Sequence, residues 1–201
     1  MKLRYIYSAC VVVETPNVIV LSDPWFTPAE YGSWHHYPPL PRDPVEVIGK
    51  VDLIYISHLH SDHYDPLFLR RYLKKFPDTR IIISETRHKM LEHRMLLDGF
   101  KPNVFSDETF DETRIILTVN GDDEIEGDTG CLIIHKDLSV ANMNDCGIDQ
   151  KQINFIEKIV LTDILQLHFL HMLGQVLTLK LIILKILKNE KLQKKENMIN
   201  S

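Results

Sequence analysis

Three cysteines in 201 residues, Cys10, Cys131 and Cys146, are too few and too far apart for a disulfide framework. Cys10 and Cys131 stand in apolar runs, as small buried hydrophobes do. The start, Met1-Lys2-Leu3-Arg4-Tyr5, lacks the apolar core of a signal peptide and runs straight into a strand-like pattern. These features predict a reducing, cytoplasmic setting. Clustered Lys and Arg are also missing. With 23 basic against 28 acidic residues and a net charge of −5, the chain has no basic patch for neutralising phosphates, which excludes a dedicated nucleic-acid binder. No apolar run is clean enough to predict a transmembrane segment. Ile164 to Leu184 has the length, but Gln166, His168, His171, Gln175 and Lys180 interrupt it, where a span needs about 20 residues almost free of such groups. What remains is the composition of a globular chain, 44% hydrophobic and 25% charged. A domain of this size buries about 70% of its unfolded surface, so it needs no metal or disulfide merely to fold.

Periodicity gives the organisation. Ala9 to Thr15 reads as a strand, Pro16-Asn17 as a turn, and Val18 to Leu21 as its hairpin partner. Residues 24–43 form a long segment rich in Pro and aromatics, the kind of loop that often carries function. Val51 to Ile56 is a short apolar strand. Pro66 to Lys75 has helical spacing, with Leu67, Leu69, Tyr72 and Phe76 available for a buried stripe. Arg80 to Ser84 is a strand, and Glu85 to Gly99 a helix closed by glycine. Thr113 to Val119, Cys131 to His135 and Leu138 to Met143 are later strands, and Asp149 to Ile159 begins a helix. Alternating strands and helices predict an α/β fold, with polar residues just beyond the strand ends where such sheets place ligands.

The chemistry concentrates at His58-Leu59-His60-Ser61-Asp62-His63. Imidazole is the commonest transition-metal ligand near neutral pH, and carboxylate complements it. Residues two apart in an extended segment point to one side, so His58 and His60 can grip one ion. Asp62 and His63 lie on the turn into the helix and can reach a second. A lone histidine is usually a satisfied polar residue; three with an aspartate in this spacing after an apolar strand indicate a metal site.

That hexapeptide matches the HxHxDH signature of the metallo-β-lactamase superfamily, and the chain resembles its members. The resemblance implies an αββα sandwich in which the first two histidines bind one metal, and the aspartate and last histidine a second. Asp23-Pro24-Trp25-Phe26, Gly32-Ser33-Trp34, Tyr37-Pro38-Pro39 and Asp52 to His58 are similar to the metallo-β-lactamase-like domain of CMP-N-acetylneuraminate hydroxylases. So are Asp128-Thr129, Cys131 to Ile134 and Asn144-Asp145-Cys146. The resemblance covers roughly residues 5 to 157. It implies that Asp145 bridges the two metals; a turn or N-cap aspartate is the alternative. Asp23 either orients a ligand histidine or simply turns the chain before Pro24. His35 and His36 either line a substrate pocket or pack the long loop onto the domain.

Where the family supplies a third histidine to the first metal, before Asp128, this chain offers Asp122, Asp123, Glu124 and Glu126. Glu124 or a neighbour substitutes there, or the cluster is a solvated loop. His168 and His171 stand where a final family histidine would lie, but in an apolar run. The pair of Cys-x-His motifs that holds a Rieske [2Fe–2S] centre is absent. From about residue 161 the sequence shifts to Leu, Ile and Lys, as an amphipathic helix or as coding sequence read out of frame. The expected organisation is therefore a partial domain over 1–160, with its second half incomplete, and a helical tail over 161–201.

The functional expectation is a metal-dependent hydrolase acting on a small molecule through a metal-activated water. His58, His60, Asp62, His63 and Asp145 are the ligands, and Asp62 also orients the nucleophile. The metal is zinc, two ions in a complete site, or iron or manganese. The resemblance implies an amino sugar, a sugar nucleotide or a surface-glycan precursor as substrate. The alternatives are a non-catalytic relative, and a metallo subunit of a hydroxylase-like oxygenase with a separate Rieske partner. A homo-oligomer or a partner would cover the incomplete second half.

Overall fold

In a computed structural model, the described residues are 1–119, 127–136, 138–146, 154 and 156, with the backbone of 165–169 and 181–186. Twelve strands among them form two six-stranded sheets. The first sheet runs β1 (Lys2–Tyr7), β2 (Cys10–Glu14), β3 (Ile19–Ser22), β4 (Leu53–Tyr55), β5 (Arg80–Ile83) and β6 (Asn103–Val104), in that order. β1 to β3 pair antiparallel, and β3 to β6 parallel. The second sheet contains β7 (Asp107–Phe110), β8 (Thr113–Val119), β9 (Thr129–His135), β10 (Leu138–Asn142), β11 (Leu165–Phe169) and β12 (Leu181–Ile186). Its order is β11-β12-β10-β9-β8-β7, with every pairing antiparallel.

The period of two along each strand builds two cores from one sheet. Val11, Val13, Val20, Leu53, Tyr55 and Ile82 face the second sheet and pack on Ile115, Leu117, Cys131, Ile133 and Val140. Their alternates, Cys10, Val12, Leu21, Ile54, Ile81 and Ile83, face three helices. These are α1 (Pro44–Ile48), α2 (Pro66–Lys75) and α3 (Met90–Leu97). The layers are thus helix, sheet, sheet. Asn154 and Ile156 are helical, and Ile156 is buried, within the helix expected from residue 149; the rest of that stretch lies outside the described residues.

Local chemistry sets the helix positions. Asp43 and Asp65 cap α1 and α2, accepting from Val45 N and Phe68 N, and each is followed by proline at the first helical position. The buried face of α2 is Phe68, Leu69 and Tyr72. Leu67, expected in that stripe, is 65% exposed, because it sits one residue before Phe68 and about 100° round the helix. The helix expected from Glu85 starts only at Met90, since Lys89 adopts a left-handed φ of 52° that a continuous helix cannot contain. Gly99, with φ +85°, ends it as expected.

The tail departs from expectation as well. Leu165–Phe169 and Leu181–Ile186 are strands, and β12 pairs with β10 from Leu138↔Lys185 to Asn142↔Leu181. Leu165-Gln166-Leu167-His168-Phe169 alternates apolar and polar residues, and Leu181 to Ile186 is a short apolar run, both strand patterns. No helix among the described residues is long and apolar enough to cross a membrane. Cys10, Cys131 and Cys146 are buried free thiols.

Candidate metal centre

The centre lies beyond the carboxyl ends of the parallel strands, where loops after β3 and β4 meet the turn after β10. β4 leads through Ile56 into Ser57 and His58, both buried. His63 N and Tyr64 N both donate to His60 O, at 3.0 and 2.8 Å. This tight turn folds Asp62 and His63 back toward His58. From the second sheet, Cys146 N donates to Met143 O at 2.7 Å and swings Asp145 across. Gly130 in β9 leaves room for that turn: a Cβ there would sit 2.7 Å from Met143 Sδ.

The four motif side chains converge, and Asp145 joins them. His58 Nε2 lies 2.9 Å from His60 Nδ1 and 3.8 Å from Asp145 Oδ2. His58, His60 and Asp145 each offer a donor atom within 4.8 Å of the other two. On the other side of Asp145, His63 Nε2 lies 3.3 Å from its Oδ2 and 3.6 Å from Asp62 Oδ2. The carboxylate of Asp145 thus stands between two donor groups. His58, Asp62 and His63 are buried, whereas His60 and Asp145 are exposed, so the centre opens to solvent on their side.

Asp23 organises the floor. It is fully buried, at a positive φ of 41° that aspartate tolerates better than most residues. Its Oδ1 accepts from Ser57 N at 2.8 Å. Its Oδ2 accepts from Ser57 Oγ at 2.8 Å, from His63 Nδ1 at 3.0 Å and from Asn144 Nδ2. A carboxylate bound to Nδ1 holds a proton there and aims Nε2 outward, where a metal ion that displaces the second proton would find a lone pair. His63 Nε2 is buried, and its contacts with Asp62 and Asp145 do not align as hydrogen bonds. A buried nitrogen left this way, facing two carboxylates, fits a cation between them.

The protonation pattern follows from burial and charge. Burial, then the field of His63, pushes His58 down to about 4, against the pull of Asp23. Burial alone would also depress His63. Asp23, with help from Asp145 and Asp62, overcomes it and holds the imidazole up at about 10. The His63 imidazole in turn keeps the Asp145 carboxyl below its ordinary range. Three imidazoles and two carboxylates around one opening are the borderline donor set that zinc, iron and manganese accept.

The remaining candidates divide. Asp128 Oδ1 lies 4.0 Å from His58 Nδ1, on the ring edge away from His60. His36 packs the long loop. Its Nε2 lies 2.7 Å from Trp25 O, and its ring contacts those of Tyr7, Trp25 and Phe26. His35 is exposed beside it. Asp122, Asp123, Glu124, Glu126, His171 and the side chain of His168 lie outside the described residues. Sequence reading missed Ser57, which bonds Asp23, His58 and His63 together, and it missed Asn144 as a donor to Asp23. Only the adjacency of Ser57 to the motif pointed to it.

Comparison with known proteins identifies the family and the fold. The family described as "Beta-lactamase superfamily domain" matches residues 2–167. A Mycolicibacterium smegmatis protein named as a Rieske 2Fe-2S iron-sulfur protein is 31% identical over 159 residues, 72% of this chain and 30% of its own. The cytidine monophosphate-N-acetylneuraminic acid hydroxylase of Asterias rubens is 29% identical over 155 residues, 73% of this chain and 23% of its own. The chain thus spans less than a third of the length of these relatives. Among solved structures, an isothiocyanate hydrolase from Delia radicum gut bacteria aligns with a TM-score of 0.57 at 21% identity, over 79% of this chain and 67% of that one. A Veillonella parvula protein described as "a possible metal-dependent hydrolase" aligns with the same TM-score of 0.57 at 16% identity, over 76% of this chain and 65% of that one. These two likenesses establish the fold.

Proposed function

Because this chain belongs to the β-lactamase superfamily, we propose that it is a metal-dependent hydrolase whose donors are His58, His60, Asp62, His63 and Asp145. His58, His60 and Asp145 would hold one ion, and Asp62 and His63, with Asp145 between the two groups, would hold a second. The observation that carries this reading is His63 Nε2, buried, oriented by Asp23 and facing Asp62 and Asp145 without an aligned hydrogen bond. When bound, the metal lowers the pKa of water toward neutrality and polarises the bond under attack.

The chain's own groups do the positioning. Asp23 and Ser57 fix the rings of His58 and His63. Asp62 accepts a hydrogen bond from the attacking water and orients it toward a carbonyl or phosphoryl centre. The solvent-open side at His60 and Asp145 admits a small-molecule substrate. The relative named as a CMP-N-acetylneuraminic acid hydroxylase supports an amino sugar, a sugar nucleotide or a glycan precursor as its class. Zinc is the expected metal, with iron or manganese as substitutes in the same donor set.

Elemental analysis of the purified protein tests this reading, with His58→Ala as control. We expect bound metal in the wild type, at fewer than two tightly held ions, because the first position has two histidines and a shared carboxylate. His58→Ala should lower the content further. Wild-type protein without metal after reconstitution would end the proposal. One observation favours a second reading, a metallo subunit of a hydroxylase-like oxygenase working with a Rieske centre: the 31% identical relative carries a Rieske name. Hydrolysis of a generic ester or phosphodiester without any redox partner distinguishes the first reading from the second.

A further inference from the structure

The long loop after β3 borders a groove of about 460 Å³ that is open to solvent, lined by Phe26, His35, Tyr37, Leu40, Arg42 and Pro44 among others. That volume lies within the range of small-molecule sites, which are mostly apolar with a few polar groups that orient the ligand. The loop is held in place from below. Asp65 Oδ2 accepts from Phe26 N and Thr27 N at 2.9 and 2.8 Å, and Tyr7 Oη donates to Pro38 O at 2.8 Å. Pro28, Pro39 and Pro44 stiffen the walls, which lowers the entropy lost when a ligand binds.

Charge decides what the groove accepts. Asp43, next to Arg42, is engaged elsewhere: its Oδ1 accepts from Val45 N at 2.8 Å and pairs with Arg71 at 3.1 Å. Asp65 is occupied by three backbone donors. Arg42 has no carboxylate within ion-pair distance among the described residues, and His35 has no hydrogen-bond or ring partner among them. A guanidinium and an imidazole therefore face an apolar, ring-lined groove with no acidic counterpart. We infer that this groove is a binding site for a small anion with a flat apolar body, its sulfonate, phosphate or carboxylate on Arg42 and its body against Phe26, Tyr37 and Leu40. The assignment stands independently of the metal reading.

Naphthalene-1-sulfonate, which a hydrolase does not consume by ester cleavage, is the probe. Calorimetric titration of the full-length protein should give a dissociation constant below about 1 mM, a level so small a ligand can reach. Inorganic sulfate and 1-naphthalenemethanol should each bind at least about tenfold more weakly, since each lacks one half of the recognition. Arg42→Gln should weaken the probe about tenfold, as loss of a charge-assisted contact does. Leu40→Trp, which fills the groove, should do the same, while His60→Gln should leave binding within about twofold. Absence of binding at about 2 mM probe overturns the inference. So does binding that survives both groove substitutions, binding lost in His60→Gln, or sulfate or the alcohol binding as tightly as the sulfonate.

Discussion

Replacing Asp23 by asparagine preserves shape and removes one charge from beneath the centre. The carboxylate accepts four hydrogen bonds, from Ser57 N, Ser57 Oγ, His63 Nδ1 and Asn144 Nδ2. With the amide oxygen at the Oδ1 position, Ser57 N keeps its partner. The amide nitrogen then occupies the Oδ2 position and confronts three donors. Ser57 Oγ can rotate to accept, and Asn144 can turn its amide. His63 can accept there only with Nδ1 bare, which leaves its remaining proton on Nε2, the nitrogen that faces Asp62 and Asp145. The substitution therefore blocks the proposed ligand atom. The lost charge acts in the same direction: the field of Asp23 that raises the proton affinity of His63 also favours a cation on the far side of the ring.

Partners behind a ligating histidine are worth about 10- to 100-fold in metal affinity, or about 1.4–2.8 kcal/mol. The fold itself should lose less, about 1–2 kcal/mol, because rearrangement re-satisfies most donors. Competition against a chromophoric chelator measures the first quantity, and denaturant unfolding of metal-free protein the second. The reasoning requires the affinity loss to appear in protein that remains folded. If Asp23→Asn folds and binds metal within about twofold of wild type, neither the tautomer nor the charge argument holds.

Two further outcomes follow from the surrounding structure. Asp98 is held below the ordinary carboxylate range: burial alone would raise it, but the hydrogen bonds from Arg94 and Tyr64, at 2.8 and 2.9 Å, prevail. A depressed folded pKa contributes stability above the unfolded value of about 3.9, and that stability fades as pH falls through the folded value. The melting temperature of Asp98→Asn should therefore lie below wild type near neutrality and converge with it below about pH 3; a gap independent of pH would refute the assignment. Deleting residues 161–201 strips β12 from β10, a strand buried over Ser139 to Asn142, and opens its backbone edge. The shortened chain should melt earlier and aggregate; an unchanged melting temperature with a monodisperse scattering profile would mean that the tail strands add nothing to the sheet.

Much of the core was readable because its information is local. The two-residue alternation of Val11 to Val13 and of Leu53 to Tyr55 assigns each side chain to one of two cores before any partner is known. His58, His60, Asp62 and His63 fall within one strand end and one turn, so their convergence needs only a few residues of correct backbone. Helix ends were less legible. Proline and a capping aspartate announce α2, but nothing in Glu85 to Met90 announces the left-handed Lys89 that delays α3. The tail strands are ambiguous in sequence because a short apolar run satisfies helix and strand patterns alike, and only pairing with β10 distinguishes them.

By itself, then, the sequence determined the strand faces, the α/β order and the candidate donor set of the motif. Only the tertiary structure decided how that donor set is held and completed. Asp23 meets Ser57 across 34 positions and Asn144 across 121, and Asp145 reaches His63 from the other sheet. The groove under Arg42 likewise exists because Asp65, on α2's cap, holds the backbone of Phe26 and Thr27. Periodicity encodes which way a side chain points within its own element. Which distant residue it meets depends on strand order, register and sheet packing together, and no window of sequence contains all three.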